Sequence, residues 1–261
     1  MTVPHVLVTG ANRGIGAAIA ATLAGDGWRV TLAGRSLAAQ EQLRATLPTP
    51  PEGAHGCVAL DVGDPASITA AFAAARAQCG PLHALVNNAG AVETGPTQRY
   101  PLDALRRMLD VNLVGVFLCT QAALADLRRA RADGVTGRIV SIASSAAQKG
   151  YPFTAAYAAA KHGVLGFTRS LALELASTGI PVNAVCPGYT DTDIVRSGVA
   201  TLVEKTGRAE EEALRTFTQA SPMMRLVRPE EVAEVVRWLC REAPAALTGQ
   251  AISVSGGEVM S

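Results

Sequence analysis

The sequence predicts an α/β domain in which about seven mostly parallel strands form a doubly wound sheet with helices on both faces. Short β-like runs alternate with longer helical patterns along all 261 residues, which is typical of consecutive βαβ units. Several strand candidates are continuous apolar runs, as expected for strands that are covered on both faces. Because no linker, long repeat or low-complexity segment interrupts this alternation, we expect residues 1–261 to form a single domain.

The elements follow one another in a regular order. The predicted strands are His5–Thr9, Arg29–Ala33, Gly56–Leu60, Ala84–Val86, Arg138–Ile142, Val182–Val185 and Ala251–Val254. Amphipathic or alanine-rich segments predict helices at Ile15–Ala24, Ala38–Leu47, Ala66–Gln78, Leu102–Arg131, Ala155–Ala176 and Pro229–Leu239.

Composition excludes several classes of protein. With 49% hydrophobic and 17% charged residues, the chain is not intrinsically disordered, and its net charge of +1 argues against a nucleic-acid binder. Five scattered cysteines without a C-x-x-C pair predict neither disulfides nor a metal site. No stretch reaches the ~18 apolar, charge-free residues of a membrane span. The chain opens in a strand rather than a signal peptide, so we expect a cytoplasmic protein with no membrane partner.

A glycine-rich turn joins the first strand to the first helix, with the sequence Thr-Gly-Ala-Asn-Arg-Gly-Ile-Gly over residues 9–16. Glycines there permit a tight turn and let main-chain N–H groups approach a pyrophosphate at the helix N-terminus. The candidate cofactor-binding residues of this turn are Gly10, Asn12, Arg13, Gly14, Ile15 and Gly16. Taken alone, a glycine cluster also occurs where a strand simply ends, so this motif needs support from the rest of the chain.

The spacing of this turn resembles that of the short-chain dehydrogenases/reductases, and the resemblance extends over essentially the whole chain. The matching segments, in order, are Asn87-Asn88-Ala89-Gly90, Asn112, Ser144, Tyr157-Ala158-Ala159-Ala160-Lys161 and Pro187-Gly188 with Thr192. Residues 161–164, 182–188 and 249–257 are most similar to the 3-oxoacyl-thioester reductases and aromatic polyketide ketoreductases of the family. The resemblance implies a Rossmann-type fold and an NAD(P)-dependent oxidoreductase acting on C=O or CH–OH groups.

Tyr157 and Lys161 are four residues apart on a predicted helix and therefore share one face. A phenol with a pKa of about 10 is a poor acid or base near neutrality, and a nearby ammonium lowers that pKa. We therefore expect Tyr157 to be the general acid in reduction and the general base in oxidation. Core packing of a tyrosine on an alanine-rich helix is the structural alternative.

Ser144 and Asn112 complete the candidate catalytic set. Ser144 follows a strand end, thirteen residues before Tyr157, and its hydroxyl can stabilise charge on a substrate carbonyl oxygen. Ser141 and Ser145 are neighbouring alternatives, and the register of the family favours Ser144. Asn112 lies in an apolar helix, where an amide is costly unless it is hydrogen-bonded. The resemblance implies that Asn112 holds a water that relays protons by way of Lys161; a structural, helix-distorting role is an equal alternative.

Cofactor choice is indicated at the end of the second strand, which reads Leu32-Ala33-Gly34-Arg35 and carries no acid. An acid there holds the ribose hydroxyls of NAD, whereas an arginine suits the 2′-phosphate of NADP. Arg35 and Arg13 therefore predict NADP(H), with NAD(H) as the alternative. The resemblance assigns further cofactor contacts to Asp61, Val62, Asn88, Ala89, Gly90, Tyr157, Lys161, Pro187, Gly188, Thr190 and Thr192.

Residues 190–225 match the family's variable substrate lid and are expected to be mobile. The segment combines apolar residues with cations, which suits an acyl chain on a phosphorylated pantetheine arm, although an ordinary amphipathic lid helix has the same pattern. Its members are Leu214, Phe217, Met223 and Met224, with Arg208, Arg215 and Arg225. Apolar surface on 102–131 and 155–176, helices that pack across a two-fold axis within the family, predicts a homotetramer.

The resemblance implies an NADP(H)-dependent carbonyl reductase that transfers hydride to a ketone. The expected substrate is a 3-oxoacyl thioester or polyketide-like ketone, with acyl carrier protein or coenzyme A as candidate carriers. One alternative is a catabolic NAD(P)-dependent alcohol or 3-hydroxyacyl-CoA dehydrogenase. Another is a non-catalytic dinucleotide-sensing regulator, against which the intact set of Asn112, Ser144, Tyr157 and Lys161 argues.

Overall fold

In the computed structural model, which describes residues 3–260, seven strands form one entirely parallel sheet in the spatial order β3-β2-β1-β4-β5-β6-β7. The strands are β1 (His5–Thr9), β2 (Arg29–Gly34), β3 (Gly56–Ala59), β4 (Ala84–Asn87), β5 (Arg138–Ile142), β6 (Val182–Pro187) and β7 (Ala251–Val254). Strands β2 and β3 lie on one side of β1, and strands β4 to β7 lie in order on its other side. This confirms the predicted doubly wound sheet, and ligands bind such sheets where the strand order reverses, between β1 and β4.

Nine α-helices lie within the described residues. They are α1 (Gly14–Gly25), α2 (Leu37–Arg44), α3 (Pro65–Cys79), α4 (Leu102–Leu109), α5 (Gly115–Arg129), α6 (Ala155–Leu175), α7 (Asp193–Thr206), α8 (Glu210–Thr218) and α9 (Pro229–Arg241). Helices α1 and α9 cover one face of the sheet, and α3, α5 and α6 cover the other. Successive side chains of β1 point to opposite faces of the sheet. Val6 and Val8 therefore pack on the side of α1 and α9, and Leu7 packs on the side of α3, α5 and α6.

The predicted helix over 102–131 is present within one helical stretch, Leu102–Asp133, but its hydrogen-bond pattern changes in the middle. Helix α4 ends at Leu109, a π-helical segment spans Asp110–Val114, and α5 begins at Gly115. The side chain of Asn112 lies in this π-helical segment, where its amide donates to the carbonyl of Met108 one turn earlier and to the carbonyl of Ala91 after β4. Gly115 follows at a close approach, where a β-carbon would lie 2.7 Å from the carbonyl oxygen of Val62.

Among the residues that the structure describes, the continuous helical stretch Leu102–Asp133 is long and apolar enough to cross a membrane by length and composition. The core helix of a soluble domain passes the same test. Here the α5 part contributes Cys119, Ala123 and Leu127 to the core beneath the sheet.

Candidate active site

The glycine turn is held in a conformation that only glycine accommodates readily. Gly10 and Gly14 have positive φ angles of 64° and 52°. A β-carbon on Gly16 would lie 2.2 Å from the carbonyl oxygen of Gly10, so the turn packs directly on α1. Within the described residues, Arg13 provides no side-chain cap and the first turn of α1 carries no acid. The first N–H groups of α1 are therefore available to an anion such as a pyrophosphate.

Thr9, at the end of β1, and Asn88, just after the neighbouring strand β4, fix this turn. The hydroxyl of Thr9 accepts from the main-chain N–H groups of Asn88 and Ala89, each at 2.9 Å. The amide Nδ2 of Asn88 donates to the carbonyls of Thr9 and Gly10 at 2.9 and 3.0 Å. Asn88 thus shapes the turn with its side chain, beyond the cofactor contact that the resemblance assigns to it. Thr9 was missed from the sequence, where its position at the strand end, just before Gly10, was the available signal.

Three of the four predicted catalytic residues meet at the carboxyl end of β5. Ser144 caps the short turn at 145–147, where its hydroxyl accepts from the N–H of Ala146 at 3.1 Å. The same hydroxyl lies near enough to the phenol of Tyr157 to influence its pKa. Lys161, one turn along α6, donates from Nζ to the carbonyl of Ile142 at 2.9 Å and lies 5.8 Å from the ring centre of Tyr157. The hydroxyl of Ser144, the phenol of Tyr157 and the ammonium of Lys161 therefore lie near one another in space.

Burial dominates the acid–base properties of this group. It lowers the pKa of Lys161 to about 8 and raises the pKa of Tyr157 above its usual value, while the nearby hydroxyl of Ser144 acts to lower the Tyr157 pKa. The expectation that the neighbouring ammonium depresses the Tyr157 pKa is therefore not met here, because desolvation of the phenolate is the larger effect. A neutral phenol near pH 7 is a proton donor, as reduction of a ketone requires.

Asn112 is fully buried and holds the segment that follows β4. Its Nδ2 donates to the carbonyls of Ala91 and Met108 at 2.9 and 3.0 Å, and its Oδ1 accepts from the N–H of Ala91 at 3.2 Å. Gly90 lies between this amide and Lys161, since a β-carbon there would be 2.9 Å from Oδ1 and 3.6 Å from Nζ. The structural role is thus visible in the contacts, and the proton relay stays a prediction.

The segment after β6 closes on the glycine turn. Gly188 donates its N–H to the carbonyl of Val254 at 3.0 Å, and the hydroxyl of Thr190 donates back to the carbonyl of Gly188 at 3.0 Å. Thr192 touches the turn, because a β-carbon on Gly14 would lie 3.1 Å from its methyl group. The candidate cofactor residues before α1 and after β6 therefore converge, as they must to contact one elongated ligand.

The adenosine end of the predicted site is more open. Arg35 is exposed and makes no ion pair within residues 3–260, whereas Arg13 lies 3.7 Å from Asp193 of α7, with both side chains largely exposed. Asp61 shapes the turn after β3, because its Oδ1 accepts from the N–H of Gly63 at 2.9 Å. Val62 is buried behind it, against Gly115.

A buried carboxylate near the predicted catalytic residues was missed from the sequence. Glu258 is almost fully buried; its Oε1 accepts from the phenol of Tyr151 at 2.5 Å and lies 3.2 Å from Nζ of Lys149. The hydroxyls of Tyr151 and Ser145 are 2.7 Å apart, which connects this cluster to the residue beside Ser144. Positive φ angles at residues 256 and 257 turn the chain inward, and the Gly-Gly pair before an acid was the available signal.

The residues present fit a nicotinamide dinucleotide. Three features lie along the carboxyl edge of the sheet. They are glycines whose missing side chains leave room for a ligand, the N-terminus of α1 without a side-chain cap, and side chains that can transfer protons. The turn before α1 and the segment after β6 would hold the phosphates and nicotinamide, and the end of β2 would hold the adenosine.

Comparison with known proteins agrees with this geometry. A family model for the short chain dehydrogenases matches residues 4–202. A putative ketoacyl reductase of Streptomyces coelicolor is 41% identical over 258 residues, covering 96% of this chain and 95% of that protein. A 3-oxoacyl-[acyl-carrier-protein] reductase of Synechocystis is 36% identical over 263 residues, covering 100% and 98%.

Solved structures give the same result. A crystal structure of actinorhodin polyketide ketoreductase with NADPH superposes with a TM-score of 0.89 at 38% identity, covering 98% of this chain and 97% of that one. The resemblance to ketoacyl and polyketide reductases expected from the sequence is confirmed. The chain belongs to the short-chain dehydrogenase family and is an oxidoreductase.

Proposed function

We propose that the protein is an NADP(H)-dependent carbonyl reductase whose substrate is a 3-oxoacyl thioester or a polyketide-like ketone. The observation that carries the proposal is that the hydroxyl of Ser144, the phenol of Tyr157 and the buried ammonium of Lys161 lie together at the carboxyl end of β5. Relatives named as ketoacyl reductases, and a neighbouring structure that holds NADPH, support it.

Three side chains of this protein have separate roles in the proposed ketone reduction. The hydroxyls of Ser144 and Tyr157 receive the ketone oxygen, where negative charge develops as the carbonyl carbon is reduced. The reduced nicotinamide, when bound, supplies the hydride to that carbon. Tyr157 then gives its phenolic proton to the oxygen, which leaves an alcohol and a phenolate that the ammonium of Lys161 stabilises. Oxidation of an alcohol runs through the same groups in reverse.

Selectivity for NADP(H) is supported by the end of β2. Gly34 offers no acid to the ribose hydroxyls, and Arg35 is exposed with no carboxylate partner in the described part of the chain. A guanidinium binds a phosphate through paired, charge-assisted hydrogen bonds. NAD(H) is the alternative cofactor.

The substrate lid, residues 190–225, contains α7 and α8 and is proposed to move when substrate binds. Two exposed apolar residues near the site, Phe153 and Met224, have positive φ angles of 64° and 53°. Non-glycine residues in this conformation are strained and concentrate at ligand sites, which supports contact with an apolar substrate chain.

The cations of the lid give less support to a carrier-bound substrate. Arg208, Arg215 and Arg225 each pair with a carboxylate, on Glu212, Glu211 and Glu231 respectively. A phosphopantetheine arm on coenzyme A or acyl carrier protein would have to compete with these pairs. The proposal for such a carrier therefore rests on the relatives and on the apolar residues of the lid.

We further propose a cytoplasmic homotetramer that associates through α5 and α6. Phe117 and Leu173 are exposed on this pair of helices, as is Val114 just before α5, and Phe117 packs edge-to-face on Phe167 with ring centroids 5.7 Å apart. A contiguous apolar face is typical of an isologous interface. Light scattering of the purified chain reports the assembly state, and a monomer at micromolar concentration contradicts the proposal.

The proposed function is tested by following NADPH consumption with a panel of 3-oxoacyl thioesters, cyclic ketones and simple ketones. We expect turnover with an oxoacyl thioester or a cyclic ketone. Turnover only with hydroxyacyl thioesters or alcohols and NAD⁺ would instead identify a catabolic dehydrogenase. Tight dinucleotide binding with no turnover in either direction would identify a regulator and overturn the proposal.

A further inference from the structure

Helix α2 directs one polar side chain into the protein. Gln40 is 0% exposed, and it is the buried residue of this helix. Neither Nε2 nor Oε1 of its carboxamide has a hydrogen-bond partner among residues 3–260. A leucine would fill such a position without burying a polar group, so the glutamine destabilises the fold unless something outside the chain pairs with it.

The carboxamide of Gln40 lies at the adenosine end of the predicted cofactor site. A β-carbon on Gly34 would lie 3.0 Å from its Nε2, 3.7 Å from Oδ1 of Asn12 and 4.0 Å from the α-carbon of Gly10. The amide therefore fills the space on the side-chain face of Gly34, between the end of β2 and the glycine turn. Because Gly34 has no side chain, it places no atom beyond its backbone between this donor and the end of β2, where Arg35 follows.

We propose that Gln40 determines cofactor specificity by donating a hydrogen bond from Nε2 to the 2′-phosphate of the adenosine ribose, past the bare face of Gly34. The proposal rests on the proposed preference for NADP(H). Arg35 supplies the charge and Gln40 a neutral, directional donor, which the flexible side chain delivers by rotation about its own torsions. The buried, unpartnered amide is then paired in the complex and unpaired in the free protein.

The test compares two ligands that differ only in the phosphate of interest, adenosine 2′,5′-bisphosphate and adenosine 5′-monophosphate. Their affinities are measured by calorimetry for the full chain and for Gln40→Leu. We expect the variant to bind the bisphosphate about tenfold more weakly and the monophosphate unchanged, as for loss of one hydrogen bond to a charged group. We also expect its melting temperature to rise, because two unpaired polar atoms leave the interior. Gln40→Glu should weaken bisphosphate binding further, since its carboxylate repels the phosphate.

Gln42→Leu is the matched control, because Gln42 lies on the same helix and is exposed. It should change neither affinity. If Gln40→Leu fails to fold, Gln40→Met keeps the side-chain length and gives the same comparison.

An unchanged ratio of the two affinities in the Gln40 variant overturns the proposal and leaves the NADP(H) reductase standing. A lower melting temperature with equal losses for both ligands also overturns it, because that pattern is structural. A wild-type protein that binds both ligands equally removes the NADP(H) preference itself, and this inference with it.

Discussion

Asn112 and Ala91 form a two-way pair, in which the amide Nδ2 donates to the carbonyl of Ala91 at 2.9 Å and Oδ1 accepts from its N–H at 3.2 Å. The pair joins the π-helical segment at 110–114 to the loop that follows β4. That loop also carries Asn88, which holds the glycine turn. The π-helical segment between α4 and α5 therefore fixes a wall of the predicted cofactor site.

Asn112→Ala should destabilise the protein and weaken dinucleotide binding together. Loss of the paired hydrogen bonds in a buried setting is expected to lower the free energy of unfolding by about 2–4 kcal/mol. Thermal melts and dinucleotide titrations check this. Asn112→Asp keeps an acceptor for the N–H of Ala91 but sets a carboxylate oxygen against the carbonyls of Ala91 and Met108, so it should be no more stable than the alanine variant. An alanine variant with unchanged melting temperature and affinity contradicts the positioning role.

Tyr157→Phe should fold, bind NADPH normally and lose turnover by about two to four orders of magnitude. The substitution removes only the phenolic hydroxyl, whose pKa the nearby Ser144 influences. Steady-state kinetics and NADPH titration measure the two effects separately. Tyr100→Phe, which also removes a phenolic hydroxyl, is the control and should retain activity. Substantial turnover in Tyr157→Phe would exclude this tyrosine as the acid.

Ketone reduction should weaken as the pH rises through about 8. Burial lowers the pKa of Lys161 from 10.5 to about 8, so its stabilising ammonium is lost in this range rather than above pH 10. The measurement is kcat/KM against pH. In Lys161→Arg the limb should move to higher pH, because a guanidinium stays protonated. A limb at the same pH in that variant would assign it to another group.

Acid should destabilise the fold through His5. Burial lowers the pKa of His5 to about 4 from 6.5, and its ring contacts Thr31 Oγ1 at 2.8 Å and the carbonyl of Gly80 at 2.9 Å. The unfolded chain binds the proton first, so the stabilisation is present above pH 6.5 and is lost as the pH falls toward 4. It amounts to about 3 kcal/mol. Urea unfolding from pH 7 to 4 should show this slope, and His5→Gln should flatten it.

Arg35→Ala should raise the Michaelis constant for NADPH by about one to two orders of magnitude and leave that for NADH nearly unchanged. Gly34→Asp should go further, because its carboxylate repels the phosphate and accepts hydrogen bonds from free ribose hydroxyls. Arg44→Ala, an exposed arginine at the end of α2, is the control. Wild-type preference for NADH, or equal losses for both cofactors, would make Arg35 an ordinary surface residue.

The sequence by itself determined the order of strands and helices, the glycine turn, and the pairing of Tyr157 with Lys161. These features are local, since hydrophobic periodicity, glycine spacing and a four-residue helical offset depend on neighbours along the chain. The family resemblance predicts a catalytic role for Ser144, and this prediction is local as well. Ser144 directly follows a strand, and a residue in that position lies at the carboxyl edge of the sheet. Element ends were less accurate: the predicted helix 38–47 ends at Arg44, since its last residues turn away from α2.

Tertiary structure alone decided which polar groups are buried and what they contact. Glu258 meets Tyr151 across 107 residues, and Asn112 meets Ala91 across 21, distances at which sequence patterns carry no information about contact. The π-helical segment at 110–114 carries one side of that second contact. Burial of Gln40 was equally invisible, because it depends on the bare face of Gly34 and on how α2 packs against β2. Such contacts form only when the sheet brings distant segments together, and desolvation then sets the pKa values of Tyr157 and Lys161.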